Sequence, residues 1–410
     1  MRKLHAIVLA LLLTLVMAVC SVPSLAEGAA QREARAPIAV GDLKAGVILI
    51  HDDNSGYDIA HIEGIKGAME ALGLKDEQVI FKYNIPEDET CYDTAVDLAE
   101  QGCQIIISNS FGHQSHMMAA AAEYPDVIFI ASTGDTAALE PVSNVGNLFP
   151  YTFQSRYVSG VVAGLKLKEL MDAGKATDPY IGYVGAYPYA EVVSGYTAFF
   201  LGIRSIVPEA HMDVQYTNSW YDPVAEAEAA NALMSKGCVI IGQHADSTGA
   251  PSAVQAAKDS GKEVYSVGYN IDMLSVAPTA ALTSAQNNWS ALYTPTLNRM
   301  ITGEAMPADF ALGYADDAVM ISKLGESCAP GTAEKVEEVI AALKDGSLEV
   351  FDTATFTVGG AAVTTYPWQD TDGDWVGDSG EAIVDGAFRE SVFRSAPYFG
   401  LRIDGITELN

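Results

Sequence analysis

Basic residues are scarce. The 410 residues hold 23 Lys and Arg against 53 Asp and Glu, a formal net charge of −30. A surface this acidic repels phosphate backbones and anionic lipid, and no basic run offers a local exception, so nucleic acid is set aside as a partner. Cysteine is also rare, with five in the chain. Their spacing contains neither a CxxC pair nor a zinc pattern. Cys103 and Cys238 each follow a glycine and open an apolar strand, which reads as buried free thiols. Past the first twenty residues no apolar run is long enough to span a bilayer. A Walker loop, an HExxH helix and a GxSxG elbow are all missing, and no motif asks for a cofactor.

The start of the chain reads as an export leader, residues 1–26. Arg2 and Lys3 precede an apolar run from Ala6 to Val19 broken only by Thr14, and Ser24-Leu25-Ala26 offers small residues at a cleavage site. Cys20 supplies an alternative, cleavage before it with lipid attachment, against which stand the bulky Val19 and Met17. On either reading the mature protein works outside the cytoplasm. Residues 27–43 are polar and Ala-rich and read as a tether.

From Ala45 short apolar β-branched runs alternate with segments of helical period: a strand at Ala45–Ile50, a helix over Ile59–Leu72, strands at Val79–Tyr83, Ile105–Ser108 and Val127–Ala131. Such alternation predicts α/β lobes, each a parallel sheet covered on both faces. The pattern runs twice. Gly102-Cys103 and Gly237-Cys238 hold the same place in the two copies, as do the segments ending at Asn84 and Asn218, a repeat of about 135 residues. Two such lobes present their strand carboxyl ends to a common cleft, the natural place for a small solute.

The quoted motifs carry a resemblance. Asn109-Ser-Phe-Gly112, Pro125–Phe129, Arg156–Gly164, Ile181–Gly185, Asn218–Pro223, Gln243–Asp246 and Gly268–Asp272 occur in order. Over about Lys44 to Phe351 the chain resembles the basic membrane protein family of solute-binding lipoproteins of ABC importers, whose best-known members are purine nucleoside receptors. The resemblance implies a two-lobed, type I periplasmic-binding-protein-like fold with three crossovers. Lobe 1 would hold 44–152 and 284–314; lobe 2 would hold 153–283 and 315–410 with a C-terminal extension. It implies permease subunits as partners, and a purine sandwiched between Tyr57 and Trp220, with Phe111 a further wall. Nucleoside-binding relatives carry an aspartate where this chain has Asn270 and a lysine near Asn287 or Asn288. That departure favours a free base such as adenine over a nucleoside. A mixed rim of Asn270, His244, Asp246 and Asn288, with Asp272 beside it, suits a base.

Other readings stand beside these. Tyr57 is placed in the loop after the first strand, with Asp58 either capping the next helix or touching solute. Trp220 is placed in the equivalent loop of the second copy. Gly112 is expected to let backbone approach the solute closely. His244 near Asp246 is half of a hydrolase triad that lacks its nucleophile, so an extracellular nucleoside hydrolase is the remoter rival and another solute, a sugar or a signalling molecule, the nearer one. Asp370, Asp372, Asp374, Asp378 and Glu381 sit at calcium-loop positions 1, 3, 5, 9 and 12, but Trp375 replaces the turn glycine, and an acidic β-hairpin is the plainer account.

Overall fold

The run Ala45–Ile48 forms β1, buried along its whole length, as a continuous apolar strand requires when helices cover both faces of its sheet. A computed structural model describes residues 32–137, 142–371 and 376–410, so the leader and Cys20 lie outside the described residues. β1 is followed by α1 (Gly56–Leu72), β2 (Val79–Lys82), α2 (Glu89–Glu100), β3 (Ile105–Ser108), α3 (Gln114–Glu123), β4 (Ile128–Ala131) and β5 (Val145–Leu148). The second series runs α4 (Thr152–Asp172), β6 (Tyr180–Gly185), α5 (Ala190–Arg204), β7 (His211–Tyr216), α6 (Pro223–Lys236), β8 (Ile240–Gln243), α7 (Gly249–Asp259), β9 (Tyr265–Tyr269) and β10 (Ala281–Asn287). Then come α8 (Ser290–Thr302), β11 (Asp309–Phe310), β12 (Val319–Ile321) and α9 (Thr332–Lys344).

Two sheets result, ordered β11-β5-β4-β3-β1-β2 and β12-β10-β9-β8-β6-β7-β17, where β17 is Ile406–Glu408. All pairings are parallel except β10 with β12. The same five-strand order appears in both, so the sequence repeat is a structural one. Its details repeat too. Asn84 and Asn218 both turn the chain at positive φ (56° and 54°), and Gly102 and Gly237 both close a helix in the left-handed region. Gly46 of β1 leaves room for Leu98 and Gly182 of β6 for Leu233, each leucine five residues before its matched cysteine. Cys91, Cys103 and Cys238 are buried free thiols.

The chain crosses between lobes after β5, after β10 and after β11, giving the three expected crossovers. β10 keeps to the second sheet through Asn287, so the return to the first sheet falls beyond residue 284. The crossings are tied together: Thr152 Oγ1 donates to Asn287 Oδ1 at 2.9 Å and Tyr314 N to Gln154 Oε1 at 2.8 Å. Beyond α9, the extension adds two small hairpins, β13 (Pro367–Gln369) with β14 (Ser379–Glu381) and β15 (Ile383–Val384) with β16 (Ala387–Phe388). It packs Phe351, Phe388 and Phe399 into the core of the second lobe. Among the described residues no helix is long and apolar enough to cross a membrane.

Candidate ligand-binding site

Residues that follow β1, β3, β4, β6, β7 and β8 line one cavity of about 920 Å³ between the lobes. That is where parallel α/β sheets hold ligands, beyond the strand carboxyl ends. The lobes touch beside it: Gly56 N donates to the Asp246 carbonyl at 3.1 Å, and the rings of His51 and Tyr221 lie 5.6 Å apart.

On the first lobe the cavity is lined by Tyr57, Asn109, Phe111 and Gly112. Tyr57 stands in the first turn of α1 and not in the loop before it. Its hydroxyl donates to the Asn109 carbonyl at 2.6 Å, and its ring meets His61 edge-on at 4.4 Å, so its orientation is fixed without solute. Asp58 does not line the cavity. The helix cap is Ser55, whose Oγ accepts from Asp58 N, while the buried Asp58 carboxylate accepts from Asn109 Nδ2 at 2.8 Å and His51 N at 3.2 Å. Burial alone would raise its pKa, but the His51 side chain at 3.4 Å, together with these donors, brings it below the usual carboxylate range. Asp58 thus supports the loop that carries Phe111. Gly112 lines the cavity, and a Cβ there would meet the Glu87 side chain at 2.5 Å. Glu87 Oε1 accepts from Gly112 N at 2.8 Å and from Ser110 Oγ at 2.5 Å, which staples the turn.

On the second lobe, Trp220 lines the cavity with Tyr189 and Glu191. The repeat corrects the expected correspondence. The counterpart of the loop after β1 is the loop after β6, carrying Tyr189 and Glu191; Trp220 follows β7, whose counterpart in the first lobe carries Glu87. Asp222 caps α6 through Val224 N and Ala225 N, with Pro223 in the first turn, so the tryptophan loop is pinned at one end. Trp220 is pinned at the other by its carbonyl, which accepts from Asp246 N at 2.8 Å.

His244 and Asp246 follow β8 and both line the cavity. The histidine's polar atoms are engaged: Nε2 lies 2.7 Å from Glu191 Oε2 and Nδ1 3.5 Å from the Tyr183 hydroxyl. Burial pulls its pKa down, and the opposing pull of Glu191 does not reverse this, so the ring is neutral with Nε2 donating to Glu191. Asp246 is buried, with Asp58, Glu226 and Glu191 as like-charged neighbours, and its pKa is raised well above the usual range, chiefly by desolvation. A protonated carboxyl there donates as well as accepts, and its Oδ1 already takes a hydrogen bond from Asn270 Nδ2 at 2.8 Å. Behind this floor the buried Arg156 lies over the Tyr269 ring, 3.5 Å from its centroid, with Nη1 donating to the Gln243 carbonyl.

Three expected rim residues stand elsewhere. Asn270, Asp272 and Asn288 line a separate recess of about 280 Å³ near the second crossover. Asn270 acts on the main cavity only through Asp246. Asp272 accepts from Leu274 N, and Asn288 Nδ2 donates to the Asp317 carbonyl at 2.9 Å. Of the acidic loop, Asp372 and Asp374 lie outside the described residues. Its ends pair as the β13–β14 hairpin; Asp378 accepts from Thr371 and Glu381 from Tyr366 N and Ile383 N. Asp370 lines the main cavity.

Sequence reasoning missed Tyr189, Glu191 and Asp135, and every contribution of the extension: Tyr366, Trp368, Arg394 and Tyr398. Matching the two copies strand by strand reveals the first two. The extension has no counterpart in the repeat and no periodic signal.

The model of the ABC transporter substrate-binding proteins described as PnrA-like matches residues 47–346. The chain belongs to that family. This substrate-binding protein is 32% identical over 311 residues to the purine-binding protein of Brucella abortus (strain 2308), covering 75% of this chain and 83% of that one. It is 33% identical over 247 residues to a protein of Haloferax volcanii named for glucose binding in an ABC transporter, covering 60% of this chain and 58% of that one. Among solved structures, a solute-binding protein of an ABC transporter from Aeropyrum pernix K1 has TM-score 0.63 at 17% identity, covering 75% of this chain and 92% of its own. Another, from Conexibacter woesei, has TM-score 0.58 at 21% identity, covering 75% and 98%. The fold is therefore the expected two-lobed type I α/β architecture. The family it belongs to consists of solute-binding proteins of ABC transporters rather than enzymes, and works outside the cytoplasm.

Proposed function

We propose that this protein captures a purine base or nucleoside between its lobes by hinged closure and presents it to the permease subunits of an ABC importer. The observation that carries the reading is a single cavity with aromatic walls from both lobes, Tyr57 and Phe111 on one side and Tyr189 and Trp220 on the other. A flat heterocycle gains apolar burial and stacking from rings on both of its faces. Asp246, whose burial favours the neutral form that both donates and accepts, suits the mixed edge of a purine. The name of the Brucella relative supports the same reading. Closure follows from differential affinity: only the closed form brings both walls to the solute.

The preference for a bare base rests on amides, Asn270 and Asn287 or Asn288, in place of the aspartate and lysine of nucleoside-binding relatives. They stand away from the cavity, and about 920 Å³ leaves room for more than a base, so base and nucleoside are carried forward together. A sugar is the second reading, favoured by the Haloferax relative's name. A thermal-shift screen of adenine, guanine, hypoxanthine, their nucleosides and glucose separates them, since a ligand bound only by the folded state raises the melting temperature. Purines are expected to raise it by several degrees and glucose to leave it unmoved. The reverse pattern overturns the purine assignment.

A further inference from the structure

The family model ends at residue 346, yet later residues, within 366–370, at Gly377 and within 394–398, line the cavity. The extension is rooted in the second lobe. β17 adds a parallel strand beside β7, and Phe399 stacks on Phe351 at 4.3 Å within that lobe's core. From that root it reaches the first lobe. Arg394 Nη1 lies 3.3 Å from Asp135 Oδ2, and Ser395 N donates to Asp309 Oδ2 at 2.7 Å, where Asp309 belongs to the edge strand β11. The partner is held ready: Asp135 Oδ1 accepts from Gln114 Nε2 at 2.9 Å.

We propose that the extension is a third wall of the solute site and a latch on the closed lobes. Because it moves with the second lobe, opening the cleft must break the Arg394 and Ser395 contacts to the first. Trp368 and Tyr398, their ring centroids 5.5 Å apart, both line the cavity, and to these rings falls the part of a solute that projects beyond a base. The charges there select its chemistry. Asp135, Glu191 and Asp370 line the cavity, Arg394 is the one Lys or Arg among the described lining residues, and that cation faces Asp135. An uncharged polar substituent such as a sugar fits this wall, and a phosphate does not. The inference rests on reading the cavity as the solute site.

The test uses the full chain with adenine, adenosine and adenosine monophosphate as probes, by calorimetry and stopped-flow release. Trp368→Ala is expected to weaken adenosine about tenfold and leave adenine near its wild-type affinity, the range expected for loss of one stacking ring. Arg394→Ala and Asp135→Asn are expected to speed the release of both by about tenfold, since each removes one charge-assisted contact. The monophosphate is expected to bind at least tenfold more weakly than adenosine. Unchanged adenosine binding and release in all three variants overturns the proposal. Should wild type bind no purine, the function proposed above fails, and the latch is decided by small-angle scattering of the unliganded protein. Arg394→Ala and Asp135→Asn should then show a larger radius of gyration than wild type, and equal radii overturn the latch.

Discussion

Trp220 is held before any solute arrives: its ring meets Tyr187 edge-on at 5.0 Å and Tyr189 at 6.1 Å. A wall fixed in this way loses little freedom on binding, so its removal costs mostly contact. Trp220→Ala is expected to weaken purine binding by about 1–3 kcal/mol, the range for stacking a base on one ring. Titration calorimetry measures it, with Asn288→Ala, which lines the other recess, unchanged. Asp246 gives a sharper contrast. Burial favours its protonated form, so Asp246→Asn, which keeps the shape of a neutral carboxyl, should stay within roughly threefold of wild-type affinity. Asp246→Ala leaves Asn270 Nδ2 and the solute edge without a partner and should lose about tenfold or more. Equal losses in the two variants would mean that the carboxylate is ionised when it binds. At this scale the cavity-lining positions of Phe111, Trp220, His244 and Asp246 were legible in the sequence, because polar or aromatic residues in the loops after buried strands fall at the cleft, while Tyr57, expected in a loop, lines it from the first turn of α1. Asn270 and Asn288 also follow strands, but the direction of a side chain at a crossover depends on the neighbouring lobe, which no local pattern records.

Among the elements, the α4–α5 pair shows why the motif Arg156–Gly164 contains glycines. A Cβ on Gly160 would lie 2.1 Å from the Phe199 carbonyl, and one on Gly202 would lie 2.2 Å from the Tyr157 carbonyl. The two helices meet backbone to backbone, with a contact that admits no methyl. Gly160→Ala is therefore expected to destabilise the protein by about 1–3 kcal/mol through overpacking, although alanine favours an isolated helix. Urea melts with Gly41→Ala as the control measure this, since nothing lies within 4 Å of a Cβ there. A Gly160→Ala curve overlying wild type would show that the helices sit further apart. The alternation of strands and helices and its repetition were readable because burial on both faces of a parallel sheet imposes apolar runs. Of the extension only the acidic hairpin was readable: its strands are two or three residues long, and its place is set by Phe351, Phe388 and Phe399 entering a core built elsewhere.

For the molecule as a whole, the excess of acid is not confined to the surface. Each part holds a buried carboxyl that desolvation keeps protonated to higher pH: Asp309 in the first lobe, Glu226 in the second and Glu390 in the extension. Desolvation pushes their pKa values up to about 6, about 7 and about 8. A carboxyl whose folded pKa exceeds its unfolded one binds its proton more tightly in the folded state. Its contribution to stability is complete below the unfolded pKa, near 4, and is lost as pH rises through the folded value. These three groups therefore make the protein less stable from about pH 5 to pH 8. The hydrogen-bonded carboxylates Asp58 and Glu408, whose pKa values are lowered, act oppositely and lose their contribution only as pH falls below about 4. The melting temperature should thus rise as pH is lowered from 8 to about 5 and fall on further acidification. Glu390 Oε2 meets no donor, so Glu390 dominates the alkaline end of this window. Glu390→Gln should raise the melting temperature at pH 8 by about 2–4 °C and change it little at pH 5, a difference that calorimetry at the two pH values resolves. An equal shift at both would assign the effect to packing around residue 390 and not to its proton.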